Sequence, residues 1–406
     1  MKKNKKVEYK DFIQKEYNFL RNENKIKKNS LRMIKNIKLN LNDEKNVFHT
    51  LSKDFSFNFR IKDLQHFRKY KNVIIIGMGG STLGSQAIYS FLEKKIKKNF
   101  IFLNTIDIEK LQKIKKKTNF SKTLFILISK SGYTIETLTN ISFLNILNKS
   151  KKNLIVISDK KSSPLYLIAK KLDLFYVEHK KYIGGRYSVL SEVGVLPAYF
   201  MGINIKKLRL NIREHLTNKN IKSFNSSLIK IFNILNNKKF KSLILLNYIP
   251  ELNNFLFWCQ QLIAESLGKN GKGLLPVVSP SPKDHHSLLQ LYLDGPKDKI
   301  FYIFSLRDTK KVTVNSPLLV GTMNFLNNKN IQHIKNSQKN ALLNSLKKNK
   351  IPFREFIIPD INEAVIGELF SFFILETAIL GKLLGINPFN QPAVEQVKTE
   401  TKKILS

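Results

Sequence analysis

An α/β chain with two parallel sheets is the fold class that three features of the sequence predict. Continuous apolar runs at Val73-Ile74-Ile75-Ile76, Leu124 to Ile128 and Leu154 to Ser158 have the pattern of parallel strands buried on both faces. The first two run directly into turns of Gly, Ser and Thr and then into helical segments, the order of a βαβ unit. The pattern resets between Met201 and Asn220, and a second series opens at Ser242 to Asn247. A chain of 406 residues is too long for one core. The expected organisation is therefore an N-terminal helical extension over 1–70, a first domain over 71–205, a second over 206–386 and a C-terminal helix over 387–406. Each domain is expected to be a parallel sheet flanked by helices.

Taken in order, residues 1 to about 70 read as basic helices, with Phe12, Tyr17 and Leu20 as a narrow apolar stripe and no evident chemistry. After the Val73 run comes Gly77-Met78-Gly79-Gly80-Ser81-Thr82-Leu83-Gly84, then a helix from about Ser85 to Lys94. A strand, a Gly-rich turn and a helix bring backbone N–H groups and a helix dipole to one point, a geometry that receives phosphate. The turn lacks the Lys-Ser/Thr ending of a P-loop and does not follow dinucleotide spacing. The Leu124 strand runs into Ser129-Lys130-Ser131-Gly132-Tyr133-Thr134 and a helix to about Leu147. Its hydroxyls are either donors to a phosphate monoester or simple helix caps. Two such turns at the carboxyl ends of parallel strands favour the phosphate reading.

Phe175 to Val177 is a further strand, followed by Gly184-Gly185-Arg186-Tyr187-Ser188. Arginine is scarce in this chain, and a planar, permanently charged donor beside two glycines suits a developing oxyanion. In the second half, Ile300 to Leu306 and Pro352 to Pro359 read as strands, and Glu363 to Leu384 as a long buried helix. Asn390-Gln391-Pro392 starts a last helix bearing Glu395 and Lys398.

The densest stretch runs from Trp258 to Gly295. Gln261 and Glu265 lie four apart and share a helix face, and Gly268 is where that helix stops. A Lys/Gly-rich turn follows, then Asp284-His285-His286-Ser287 and an apolar helical segment. This is an acid/base constellation, although a solvated Glu265 and a capping His286 would give the same letters.

The net charge is +40, from 70 Lys+Arg against 30 Asp+Glu. The excess is lysine spread evenly along the chain, which fits solvated faces better than a nucleic-acid reader, since those lean on arginine. Such a surface still draws in an anionic metabolite. The one cysteine, Cys259, lies in an apolar run and is expected in the core of an intracellular protein. No Cys/His cluster has metal-ligand spacing. The segment Ala364 to Gly385 contains Glu368, Glu376 and Lys382, so a buried core helix is expected there rather than a membrane span.

Six motifs in order, spread over roughly residues 70 to 400, resemble the phosphoglucose isomerase family and its pair of sugar-isomerase domains. They are Gly77 to Gly84, Ser129 to Thr137, Gly184 to Pro197, Gln260 to Gly273, Asp284 to Pro296 and Gln391 to Lys398. The resemblance implies reversible isomerisation of glucose 6-phosphate and fructose 6-phosphate. It places Glu265 as the base between C2 and C1, Arg186 as the cation that steadies the enediolate, and His286 and Lys398 at ring opening. Gly80, Ser81, Ser129, Lys130, Ser131 and Thr134 match phosphate ligands, and Gln261 and Gln391 match sugar contacts. It further implies a cytoplasmic homodimer in which the histidine crosses to the partner's site, with no cofactor, no metal, no nucleic acid and no membrane.

The chain departs from the family at Ser131-Gly132-Tyr133, where Thr-Phe-Thr is usual, which leaves a looser turn or a wider substrate range open. Asn390 and Ala393 replace the usual Asp and Gly. His285 precedes His286, and His286 is chosen because Ser287 follows it. The competing readings are a phosphosugar isomerase that also takes mannose 6-phosphate, and a non-catalytic sugar-phosphate sensor.

Overall fold

The computed structural model of the chain describes residues 6–14, 17, 22–149, 151–307, 312–316 and 320–406. Its strands are β1 (Glu8–Phe12), β2 (Asn72–Gly77), β3 (Asn99–Leu103), β4 (Thr123–Ile128), β5 (Leu154–Ser158), β6 (Phe175–Glu178), β7 (Ser242–Asn247), β8 (Leu275–Pro280), β9 (Lys299–Leu306) and β10 (Phe353–Ile358). They form two five-stranded sheets, ordered β3-β2-β4-β5-β6 and β1-β10-β9-β7-β8. Every pairing is parallel except β1 with β10, where Tyr9 lies opposite Phe356. The expected α/β architecture with two parallel sheets is therefore present.

The apolar runs are buried on both faces for the reason their sequence gave. In β2, Val73 and Ile75 face one core while Ile74 and Ile76 face another. In β7, Leu243 and Leu245 join the first of these cores, and Ile244 and Leu246 a third. The first core is shared by both sheets and by the helices between them: α2 (Leu83–Leu92), α5 (Asn253–Leu267) and α7 (Glu363–Leu383). Cys259 is buried there. Helix α7 is long and apolar enough to cross a membrane, but it is buried inside the chain from Glu363 to Gly381, as a core helix should be.

Counting from its own first strand, each sheet follows the order 2-1-3-4, with β6 and β1 added at the edges. Such a sheet has a switch point between its first and third strands, where a crevice opens at their carboxyl ends. In the first sheet that point lies between β2 and β4, from which the two Gly/Ser turns emerge.

The N-terminus differs from the expected helical extension. Helix α1 (Glu23–Leu39) is present, but Phe12 belongs to β1, which closes the edge of the second sheet. Tyr17 is buried against Phe240, and Leu20 lies outside the described residues. The helix expected to run to Leu147 breaks at Asn145, which is left-handed (φ 52°), into α3 (Ile135–Leu144) and the short helix α4 (Ile146–Lys149).

Candidate active site

The site grows from the two turns at the switch point. Gly80 packs directly on the Gly184-Gly185-Arg186 turn, and a Cβ there would lie 2.3 Å from the Gly185 carbonyl carbon. Only glycine allows this approach, which sets Arg186 beside the first phosphate-type turn. Ser81 starts the turn into α2, its amide donating to the Met78 carbonyl at 3.0 Å.

In the second turn, Ser129 and Thr134 join their hydroxyls at 2.8 Å, and the Gly132 amide donates to Ser129 Oγ at 3.1 Å. Gly132 has φ 68°, and a Cβ there would meet Ser163 Oγ at 2.1 Å. Tyr133 donates its hydroxyl to the Ser162 carbonyl at 2.8 Å. The Ser-Gly-Tyr sequence thus gives a braced turn, not the loosened one that the departure left open. Thr134 is the N-cap of α3 without a side-chain capping bond, and Thr82 stands the same way before α2. The hydroxyls are therefore not absorbed in capping, and a helix N-terminus follows each of the two turns. Ser131 is exposed, with its hydroxyl accepting from the Tyr133 amide at 3.2 Å. Lys130 donates to the Lys181 carbonyl at 2.9 Å, and burial, Lys161 and Arg186 hold its ammonium below the usual lysine range against the pull of Asp159.

Arg186 is 2% exposed and organises the rest. Its Nε donates to Ser266 Oγ at 2.8 Å, its Nη2 to the carbonyls of Pro388 (2.7 Å) and Asn390 (3.0 Å), and its Nη1 to Glu265 Oε2 (3.2 Å) and Gln391 Oε1. Gln261 Nε2 donates to Glu265 Oε1 at 2.9 Å, which confirms that the two share a face of α5. Glu265 is thereby held by one donor on each carboxylate oxygen. Its side chain keeps 27% exposure, at a crevice of about 490 Å³ walled by Leu83, Gln86, Phe257 and Gln261. A carboxylate held in place yet open to a crevice can take a proton from a bound molecule, and the guanidinium behind it can answer the charge that results.

The remaining candidates stand apart within a single chain. His286 is exposed at the end of the turn Lys283–His286, whereas the His285 Nε2 is bonded to Tyr248 Oη at 2.7 Å. Burial holds His285 below the usual histidine range. The following helix α6 (Leu289–Leu293) buries Tyr292 but leaves Leu291 48% exposed, so the second domain does not cover it on all sides. Lys398 lies on α8 (Pro392–Leu405), which has no buried residue, and pairs with Glu395 at 2.6 Å. Neither His286 nor Lys398 touches the Arg186–Glu265–Gln391 group. Among the described residues, no group of three His, Cys, Asp or Glu side chains could hold a metal ion.

Sequence reasoning missed Ser266 and Lys269. Ser266 is next to Glu265 and links Arg186 to the Tyr187 hydroxyl at 3.0 Å. Lys269 lies in the Lys/Gly-rich turn, and its ammonium donates to the Asn387 carbonyl. Partial burial and the neighbouring Arg186 bring its pKa down to about 8, with Glu265 acting in the other direction.

Residues 41–276 match the family model for phosphoglucose isomerase. A glucose-6-phosphate isomerase of Methanocaldococcus jannaschii is 33% identical over 358 residues, covering 85% of this chain and 87% of that protein. A glucose-6-phosphate isomerase of Campylobacter jejuni is 30% identical over 374 residues, covering 87% and 90%. A hypothetical protein of Thermus thermophilus superposes with a TM-score of 0.80 over 95% of both chains at 25% identity. The chain belongs to the phosphoglucose isomerase family.

Proposed function

We propose that the chain interconverts glucose 6-phosphate and fructose 6-phosphate through an enediol. The observation that carries this reading is the buried Arg186 holding Glu265 at the mouth of a crevice, with the first phosphate-type turn packed against both the Arg186 turn and Gln261. Gly80, Ser81, Ser129, Lys130, Ser131 and Thr134 receive the phosphate, and Gln261 and Gln391 contact the sugar. Glu265 takes the C2 proton and returns it to C1. As it does so its charge is neutralised, so the positive charge of Arg186 is left facing the enediolate oxygen at the moment that oxygen becomes negative. His286 and Lys398 serve ring opening. Because neither reaches Glu265 within one chain, the complete site is a feature of a homodimer in which His286 comes from the partner. The exposed Leu291 beside it fits such a contact. The buried, lone Cys259 fits a reducing, cytoplasmic setting.

The test begins with fructose 6-phosphate formation by the purified chain with a chelator present. Glu265→Gln keeps the shape and removes the basicity, so turnover should fall about 10²–10⁴-fold with little change in melting temperature. His286→Ala should be similarly impaired. Mixed and allowed to exchange subunits, the two variants should regain activity, because a mixed dimer contains one site with both residues intact. Full activity of Glu265→Gln would reject the base. No recovery on mixing, with exchange verified, would reject the crossed histidine.

A further inference from the structure

We infer that Lys269 and Lys272 form a cationic clamp on residues 384–391, and that this clamp positions Gln391 against Arg186. The inference rests on the isomerase reading of the site.

Helix α7 ends at Leu383 with Leu384 as its C-cap, and the chain then runs through an irregular segment to Gln391 and the start of α8. The last carbonyls of a helix lack partners within it. Here the Leu384 carbonyl accepts from the Lys272 ammonium, which also opposes the negative end of the helix dipole. Three residues on, the Asn387 carbonyl accepts from Lys269. The Pro388 carbonyl accepts from Arg186 Nη2 at 2.7 Å and from the Tyr187 hydroxyl at 3.1 Å, and the Asn390 carbonyl from Arg186 at 3.0 Å. The segment is thus held through four carbonyls, with cations of Lys269, Lys272 and Arg186 supplying a donor to every one. The Phe389 ring packs on Tyr187 at 5.4 Å and Phe48 at 6.1 Å.

Both lysines come from the turn that ends α5, the helix that carries Glu265. Asn270 (φ 52°), Gly271 (φ 70°) and Gly273 (φ 98°) are all left-handed, and the Lys272 amide closes back on the Lys269 carbonyl at 2.9 Å. This turn brings two ammonium groups onto one segment. Helix α5 therefore fixes both the carboxylate and, through the clamp, the amide on the other side of Arg186. Lys269 is set beside another cation and partly out of water, an unfavourable place for a lysine that did nothing. Both ammonium groups are engaged by backbone carbonyls of this segment, so both act as positioning residues.

The test compares Lys269→Met with Lys269→Arg in the full chain, reading hydrogen exchange of the peptide over 384–391 alongside kcat and KM for glucose 6-phosphate. Lys269→Met should speed exchange in that peptide and lower kcat about 10–100-fold, with KM moving less than about threefold. Lys269→Arg, which keeps the charge and the donor, should restore both. Lys272→Met should speed exchange around Leu384. Unchanged exchange in Lys269→Met, or exchange that Lys269→Arg fails to restore, would overturn the clamp. Faster exchange in Lys269→Met together with a wild-type chain that forms no fructose 6-phosphate would support the clamp while rejecting the isomerase reading.

Discussion

Arg354 and Arg186 are both buried and both use all five guanidinium N–H groups, but their partners differ in kind. Arg354, on β10, donates to Asp11 at 2.7 Å, Tyr302 at 3.3 Å, Glu376, and the Ser227 carbonyl and hydroxyl. Its two carboxylates are themselves buried, with 12% and 4% side-chain exposure, and come from β1 and α7. Opposing burial, Glu376, Tyr302 and Asp11 raise its pKa above the ordinary arginine value. This cation ties the N-terminal strand to the core and presents nothing to solvent. Among the described residues Arg186 meets one carboxylate only, and that one sits at a crevice; its other acceptors are carbonyl, amide and hydroxyl oxygens. A closed ion cluster holds a fold together. An arginine bonded mostly to neutral dipoles keeps its positive charge available for chemistry.

The largest expected effect tests the structural half of this contrast. Arg354→Met leaves Glu376 buried without its counter-ion and Asp11 with only Lys230 at 3.7 Å, so stability should fall by about 3–5 kcal/mol. The denaturant midpoint should report it, while turnover per folded molecule stays near wild type. A loss of turnover without a loss of stability would break the comparison.

Arg186→Lys tests the functional half. The lysine keeps a charge but cannot reproduce the fork that spans Ser266, Glu265, Gln391 and the 388–390 carbonyls. Turnover should drop about 10²–10³-fold, the range for losing a preorganised oxyanion donor. The stability change should be smaller than for Arg354→Met, because four of the five acceptors left behind are neutral. Equal stability losses in the two variants would blur the distinction.

The smallest effect sharpens the comparison at a third buried cluster, away from the site. Glu368 on α7 meets Tyr9 at 3.3 Å, Asn211 at 3.2 Å and His215 at 3.9 Å, beside a cavity of about 310 Å³. Burial above all, with Glu214 adding to it and Asn211 opposing, pushes Glu368 up to about 7 from an ordinary 4.5. Between those values the folded chain holds more protons than the unfolded one, so stability falls as pH rises. His215, held by burial at about 3 against an ordinary 6.5, acts the other way and loses stability as pH falls below 6.5. Glu368→Gln should therefore raise the unfolding free energy at pH 8 by on the order of 1–3 kcal/mol and change it little at pH 5, as read from denaturant titrations, with turnover unaffected. A pH-independent effect would show that Glu368 carries no buried charge.

All six inner strands could be read in the sequence, whereas of the four edge strands only β6 could. β2, β4, β5, β7 and β9 are continuous apolar runs because every one has a partner on each side and cores on both faces, while the inner strand β10 carries Arg354 and Glu355 in buried ion pairs. β1, β3 and β8 were missed, and all three are edges. Edge strands tolerate charge and proline, and β1 (Glu-Tyr-Lys-Asp-Phe) and β8 (Leu-Pro-Val-Val-Ser-Pro) carry them. β1 pairs with a strand more than three hundred residues away, a contact no local pattern encodes.

The site divides in the same way. By itself the sequence determined which local pieces exist: glycine turns after buried strands, Gln261 and Glu265 on one helix face, and an arginine between glycines and serine. These follow from spacing and from the conformations that glycine and the helix period impose. Only the tertiary structure decided that Gly80 touches the Arg186 turn, that Arg186 links Glu265 and Gln391, which lie 79 and 205 positions from it, that His285 is tied to Tyr248 while His286 stays exposed, and that Lys269 and Lys272 hold residues 384–391. Those pairings depend on how two sheets wound from distant parts of the chain pack over one core, and loops brought together by packing share no periodicity through which a sequence could announce them.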